Sequence, residues 1–523
     1  MRAGTSSSMA VRSTSMLLAS LLASCAVGPN YHTPQVQVPG QYGAVIAKVP
    51  TPSGTPSAAS GRPIDLTGWW RTLNDPELDS LVGRAVKDNP DVLVALDRLQ
   101  EARTYEAGLV GTALPAAAAS GAYGRGTGDD AVRGKASQGL ISADNPHGVG
   151  QINAIGGFDA FWQLDVFGKF RREVEAARYD AQAAAAARNA VLVSVIADVA
   201  RAYVELRGLQ IRASVLHAAV DVLQQSQRIV TIRYQRGITN ELDVTLAQRE
   251  LSSFEAEVAP VDAQIADAEY AIATLIGQYP EDLVQELSQK ALIPTVPTMV
   301  QTGLPVDLLR RRPDIQESDR QLASANAQIG VATANLFPQF IVGAAVGAQR
   351  ADLGTAAPVG EHIWSAGAGA LWPLLDFGTL DAQVKVATLH TRSLLVSYKG
   401  LIQRAVQQVD SDVQNYAADQ LSLKSLGDAL VASQRAVTLA NQRYDRGLTD
   451  FLNVVDAERE EYSIEGQYVD AQTRLAEQFI ALYRDLGGGW QSYQNVPPIE
   501  RPLPAVLAIF RETLAHDDPL KDP

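Results

Sequence analysis

Residues Phe167 to Gly277 return as Phe377 to Gly487. Within them, Arg233-Tyr-Gln-Arg-Gly-Ile-Thr-Asn-Glu-Leu-Asp-Val244 reappears as Arg443-Tyr-Asp-Arg-Gly-Leu-Thr-Asp-Phe-Leu-Asn-Val454, at an offset of 210 residues. A register held this long without a gap implies a rigid element, because one inserted residue would rotate every later side chain. The apolar spacing says which element. Leu192, Ile196, Val199, Tyr203 and Leu206 step by four and three, and Ile402, Val406, Val409, Val413 and Tyr416 step identically. That is a coiled-coil seam, present once in each half.

The net charge of −14 argues against a nucleic-acid partner and against binding to an anionic membrane surface. An apolar fraction of 46% excludes wholesale disorder, and aromatics at 6% suit Ala-rich helical surfaces better than compact mixed cores. One cysteine rules out an intrachain disulfide. Residues 1–24 have a basic start, the short apolar run Met16–Leu22 and then small residues, which describes a secretory signal peptide. Leu22-Ala-Ser-Cys25 resembles a bacterial lipobox, whose cysteine becomes the lipidated first residue. The plainer alternative is a signal peptide with an incidental cysteine. Ala26 rather than Asp after the cysteine favours the outer membrane, by resemblance to lipoproteins of enteric bacteria.

Residues 25–65 are rich in Pro, Gly, Ser and Ala and read as an extended leader. The first repeat spans 66–277. Asp75 can cap a helix with Pro76 at its first position, and a helical pattern runs from Leu78 to Leu114, broken near Asn89-Pro90. Strands are expected at about 116–125 and 150–166, on either side of a polar loop, 126–148. In the second strand Ile152, Ala154, Phe158, Ala160, Trp162 and Leu164 share one face, and Gln151, Asn153, Asp159, Gln163 and Asp165 the other, with Ile155 and Phe161 as exceptions. This suits a membrane-barrel strand, and equally a soluble sandwich strand with one wet face. A long helix to about Tyr234 comes next, about 100 Å in length, then a tip at 234–246 and a shorter helix to Ile276. Residues 278–304 form an equatorial linker. The second repeat, 305–489, has strands at about 339–349 and 363–376 and a tip at 444–456. Trp162 and Trp372 recur at one height, as an interfacial aromatic belt requires. Residues 490–523 are a tail without period.

Four strands cannot close a membrane barrel, and an open edge in lipid leaves backbone groups unsatisfied. Strands that span a bilayer here must be pooled from several chains. Two chains give a barrel almost solid inside, whereas three give one wide enough for an aqueous bore.

The order of parts, the duplication, Cys25-Ala-Val-Gly-Pro-Asn-Tyr-His-Thr-Pro34, Arg311-Arg-Pro-Asp-Ile315 and the paired Tyr-x-Arg-Gly turns resemble the outer-membrane factor family of TolC-like and OprM-like exit ducts. The lipidated OprM-like branch is the nearer match. The resemblance implies a mainly α protein with membrane β. Duplicated units would form a homotrimeric twelve-stranded barrel continued by a twelve-helix coiled-coil tunnel. It also implies a periplasmic adaptor (membrane fusion protein) and an inner-membrane pump of RND type as partners, with outer-membrane lipid around the barrel. The implied function is passive export of drugs, metals or other small molecules. A type I protein-secretion duct uses the same fold. A pore-less periplasmic scaffold would carry one hairpin, not two.

No reaction is legible: the six histidines are scattered, and no phosphate loop or nucleophile elbow is present. The expectation is a non-enzyme with no metal and no cofactor beyond a lipid on Cys25. The informative residues lie at the tips. Gly237 and Gly447 permit tight turns, and Asn240 and Asp450 sit where a helix needs a cap. Capping alone accounts for those last two. By resemblance to the family's closed aperture, Asp450, Asp456, Asn453, Arg443, Arg446 and Tyr444 are gate candidates, with Tyr234, Arg236 and Asp243 opposite them. The TolC-like pattern has two acids three apart, where Asn453 and Asp456 stand, and an Arg where Thr449 stands. That puts its particular ion pairs in doubt. Gly237, Ile238, Gly447 and Leu448 are candidates for docking an adaptor.

Overall fold

The computed structural model describes residues 26–43, 65–125, 152–289, 291–298, 300, 302–352 and 359–493. The signal segment, Cys25, the loop 126–148 and the tail from 494 onward lie outside the described residues.

Each repeat runs helix, strand, strand, long helix, shorter helix. In the first, α1 is Pro76–Asp88, α2 Pro90–Thr112, β1 Ala116–Arg125, β2 Ile152–Leu164, α3 Lys169–Gln235 and α4 Glu241–Leu275. In the second, α5 is Pro313–Ala334, β3 Gln339–Asp352, β4 Val359–Leu371, α6 Thr379–Asp445 and α7 Phe451–Asp485. Asp75 caps α1 by accepting from the Glu77 and Leu78 amides at 3.0 and 3.2 Å. The break between α1 and α2 is chemical: Pro90 has no amide to donate, and the Asn89 side chain caps α2.

The long helices α3 and α6 have 67 residues each, and α4 and α7 have 35 each. At 1.5 Å per residue the long ones span about 100 Å. The shorter helices stack end to end beside them. The α4 end abuts the start of α2, with the Asn89 side-chain amide donating to the Leu275 carbonyl at 2.8 Å. A Cβ on Gly277 would lie 2.3 Å from the Asp88 carbonyl oxygen, and one on Gly487 2.7 Å from that of Arg311. Only glycine permits these two junctions, one per repeat, and both have positive φ.

The core is where the seams meet. Leu192, Ile196, Val199, Tyr203 and Leu206 are fully buried, with Ile402, Val409, Val413 and Tyr416 beside them and Val406 at the edge. Trp69 and Trp70 close this equatorial core, Trp69 stacking on Tyr483 at 5.6 Å. Arg207, 0% exposed, ties the linker to it. It donates to the carbonyls of Leu287 and Gln289 at 3.3 and 2.6 Å, to Gln210 at 2.7 Å and to Glu77. The second repeat uses the same helix level differently: Tyr416 donates to the Pro297 carbonyl and Gln420 to that of Thr298.

The strands form one antiparallel sheet in the order β1-β2-β3-β4. Its register puts Phe158 opposite Val346 and Val346 opposite Trp364, and likewise Trp162 opposite Val342. Side chains at these positions share one face, and Phe158, Val346 and Trp364 are exposed, Trp364 at 80%. A continuous exposed apolar sheet face is a lipid-facing surface, which decides between the two readings of β2. The other face carries Gly157, Asp159, Gly347, Ser365 and Gly367, with Phe161 and Ile341 as apolar exceptions. β2 is shorter than the sequence suggests, and β4 sits earlier, beginning at Val359 rather than 363 and ending at Leu371. The two tryptophans do recur at one height. Trp162 donates its indole N–H to the Ala113 carbonyl at 3.0 Å, and Trp372 to that of Leu336 at 3.1 Å.

The described part of the leader, residues 26–43, is docked on the body. The Val27 amide donates to the Phe167 carbonyl at 3.1 Å, beside the end of β2. Arg172 donates to the Val27 and Gly28 carbonyls and to Asn30. The Tyr31 hydroxyl donates to Asp319 at 2.6 Å, and Tyr42 is buried in the core. Single contacts of this kind carry no period, so the sequence alone does not betray them.

Candidate functional site

The site is the pair of helix turns farthest from the sheet. The α3 helix ends at Gln235 and reverses through Gly237, whose φ is 72°, and α6 reverses through Gly447 at 69°. The Ile238 amide donates to the Arg233 carbonyl and the Leu448 amide to that of Arg443, both at 2.9 Å. These are paired left-handed helix terminations, which satisfy carbonyls a helix end would otherwise leave open. Ile238 and Leu448 project at the very tips, more than half exposed.

The turns of one chain touch each other through a small set of side chains. The Arg233 guanidinium lies over the Tyr444 ring, 4.6 Å from its centroid, and 4.0 Å from the Asp445 carboxylate. Thr239 donates to Asp243, and the Tyr444 hydroxyl sits within hydrogen-bond reach of both Thr239 and Arg233. Burial raises the Tyr444 pKa, so the phenol is neutral at working pH. Below this polar layer Phe451 packs on Tyr444 with ring centroids 5.3 Å apart. Val230, Ala247, Val454 and Val455 complete an apolar plug between the two hairpins.

Several sequence candidates sit elsewhere. Asp456 faces Arg459 on its own helix at 3.6 Å, both half-exposed, so it is not held in the tip contact. Asn240 caps α4 by accepting from the Asp243 amide at 3.1 Å, whereas Asp450 makes no side-chain cap. Among the described residues, Arg236, Arg443, Arg446 and Asn453 show no side-chain partner within the chain. Sequence reasoning missed Arg233, Thr239, Asp445 and Phe451. Arg233 was within reach, because it is the duplicate of the candidate Arg443.

One turn above the plug lies Glu458, 5% exposed. One of its carboxylate oxygens is buried without a partner. Burial pushes its pKa up to about 7; Asn441 on α6 opposes the shift by hydrogen bonding, while Glu461 on α7 and Glu250 on α4 add to it. A carboxyl whose folded pKa exceeds its unfolded value stabilises fully below the unfolded pKa. That contribution is lost as pH rises through about 7. The contact between the hairpins is therefore strongest in mild acid, by on the order of 3 kcal/mol. Hydrogen exchange across 451–462, corrected for intrinsic rates, should quicken from pH 5 to pH 8 in the wild type and stay level in Glu458→Gln. The same quickening in both would remove Glu458 as the cause.

Nothing at the tips assembles a catalytic constellation, and among the described residues no His, Cys, Asp and Glu group could hold a metal. The arrangement is mechanical: two hairpin ends joined by one cation–π contact, a hydrogen-bonded Tyr and an apolar plug. The family described as outer membrane efflux protein matches residues 81–278 and 304–488. Nodulation protein T of Rhizobium leguminosarum bv. trifolii is 26% identical over 484 residues, covering 92% of this chain and 97% of the relative. The probable efflux pump outer membrane protein TtgC of Pseudomonas putida is 27% identical over 472 residues, covering 90% and 94%. Among solved structures, that of the outer-membrane channel OprN superposes with a TM-score of 0.77 at 32% identity, covering 89% of this chain and all of that one.

Proposed function

This chain belongs to the outer membrane efflux protein family, and we propose that three copies of it form the exit duct of a tripartite efflux pump. The observation that carries the reading is the shape of one subunit. It supplies a four-stranded sheet with an apolar outer face and two free edges, joined to two hairpins about 100 Å long. That is one sector of a closed cylinder. Three sectors give twelve strands with every edge paired, and a helical wall that crosses the periplasm.

The duplication supports the same count. In one chain Ala176 and Ala186 of α3 are buried in the Ala-rich interface where α3 packs on α5. Their duplicates on α6, Val386 and Val396, are exposed, and so is Leu389 between them. The duplicate of α5 is α2, which exposes Val94, Tyr105 and Val110. These two faces cover each other when α6 of one copy meets α2 of the next.

Gating belongs to the tips. Arg233, Thr239, Asp243 and Tyr444 hold the two hairpins together, and Ile238 and Leu448, with Gly237 and Gly447, form the exposed end where a periplasmic adaptor docks. An inner-membrane pump, of RND type, supplies the driving force, and the duct passes small molecules passively. Cys25 carries a lipid. Val27 docks at the rim of the sheet beside Phe167, which supports an anchor at the inner edge of the outer membrane. A pore-less scaffold would leave the apolar sheet face without a purpose.

Reconstitution tests the reading. The purified protein should have the mass of three chains in detergent and pass discrete single-channel currents in planar bilayers. Fatty-acid label should mark the wild type and not Cys25→Ser. A silent single chain sinks the duct; equal label in both sinks the anchor.

A further inference from the structure

On the trimeric reading above, we propose that the inner wall of the barrel carries a binding site for organic cations with an apolar body, formed in each subunit by Phe161, Ile341 and Leu371 with the carboxylate of Asp159 one step away from them.

The site follows from the register of the sheet. The outer face carries Trp162, Val346 and Trp364, so residues of the opposite parity turn to the bore. Phe161 on β2 pairs with Gly343, Ile341 on β3 pairs with Gln163 and Gly369, and Leu371 on β4 pairs with Gln339. All three have the inward parity. They are also level. Trp162 and Trp372 stand at one height, bonded to the Ala113 and Leu336 carbonyls that precede the two strand pairs. Phe161 and Leu371 directly precede these tryptophans in the chain. From Phe161 to Leu371 the ladder steps two residues towards the tunnel per strand, and the position between them on β3 is Ile341. The three side chains form one band across the sheet, and copies of the chain close the band into a collar.

The wall on either side is of another kind. Away from the tunnel the next inward positions are Asp159, Gly343 and Gly369, and beyond them Gly157, Ala345 and Gly367. On the tunnel side stand Gln163 and Gln339, joined at 3.4 Å. A Cβ added to Gly367 or Gly369 would meet nothing within 4 Å, so the space beside the band is open. Phe161, Ile341 and Leu371 are 54%, 42% and 66% exposed. In a water-filled bore large apolar side chains gain nothing by exposure. A patch of them beside a fixed polar group is what a ligand covers. The charge says which ligand. Asp159 lies two residues from Phe161 on the same face, about 7 Å along the strand. Among the described strands no inward position is Lys or Arg. A cation with an apolar body covers the band and sets its charge towards Asp159, whereas an anion meets no counter-charge.

The test uses the full-length trimer in planar bilayers. The probes are octyltrimethylammonium, octyl sulfate and tetramethylammonium, the two octyl compounds below their micellar concentrations. Octyltrimethylammonium should reduce the single-channel current at a concentration about tenfold below the other two. Phe161→Ser and Leu371→Ser should each raise that concentration by about five- to tenfold, the worth of covering half of such a side chain. Asp159→Asn should bring the two octyl probes to similar concentrations. Leu371 is the last residue of β4, so Leu371→Ser disturbs the ladder least and decides the matter if Phe161→Ser does not assemble. Equal action of octyltrimethylammonium on the wild type and on Leu371→Ser overturns the band. Equal action of the two octyl probes on the wild type overturns the role of Asp159. Trimers that conduct but give either result leave the duct standing; a wild type with the mass of one chain removes both.

Discussion

Phe377→Asp will abolish assembly: the purified variant will have the mass of a single chain in detergent and pass no current. The duplication again supplies the reason. Phe167, at the end of β2, stacks on Phe337 with centroids 4.6 Å apart. The duplicates of that pair are Phe377 and Leu114, and in one chain both stand free, Phe377 at 98% exposure. In the trimer proposed above, Phe377 of one copy meets Leu114 of the partner subunit, at the junction of barrel and tunnel. Carrying the β2–β3 register across the same way sets Trp372 opposite Ala119 of the partner subunit, which closes the sheet. Burying a phenyl ring contributes roughly 1.5–3 kcal/mol, and the ring of subunits contains it three times. A carboxylate there would have to be desolvated without a cation, which reverses the sign. Backbone strain does not explain the loss, because Phe377 already has φ 53°, a region that Asp tolerates better than Phe. Phe377→Leu should keep the trimer. Assembly of Phe377→Asp at the wild-type mass would show that this junction is not between copies.

The repeat makes much of this architecture legible from sequence alone. Seam positions such as Leu192 and Ile402 are readable because coiled-coil burial is periodic, and the strands because their alternation is. The single-chain sheet is legible as incomplete, since four strands cannot seal their own edges. Contacts without a period are not legible. Arg207 reads from sequence as one more surface cation on a helix, and only tertiary packing puts it at 0% exposure. The leader's grip through Tyr31 and Tyr42 is of the same kind. At the tips, Asp450 and Asn240 look alike as caps, yet only Asn240 accepts the hydrogen bond. Asp456, a gate candidate by resemblance, has Arg459 of its own helix as its neighbour within the chain. What pairs across two hairpins depends on how the helices are rotated, which the spacing within each helix does not determine.

Arg207→Ala will cost about 3–5 kcal/mol of subunit stability, the usual penalty for stranding one member of a buried ion pair. Among the described residues Arg207 is the only cation reaching Glu77 at hydrogen-bond distance, and it holds two linker carbonyls as well. Its guanidinium also lies 4.8 Å from the centre of the Tyr203 ring. Burial already raises the Glu77 pKa and Arg207 opposes that rise, so removal of the cation drives Glu77 towards the neutral acid. The second repeat shows what the fold does without this pair. At the place of Arg207 stands Ala417, buried and apolar. The buried charges are therefore one of two solutions to the same packing problem, not a requirement of the fold. Glu77→Val combined with Arg207→Ala removes both buried charges together. Thermal unfolding should show the single variant well below the wild type and the double variant recovering more than half of the loss. A double variant less stable than Arg207→Ala alone would mean that the linker carbonyls of Leu287 and Gln289, rather than Glu77, are what Arg207 is there to satisfy.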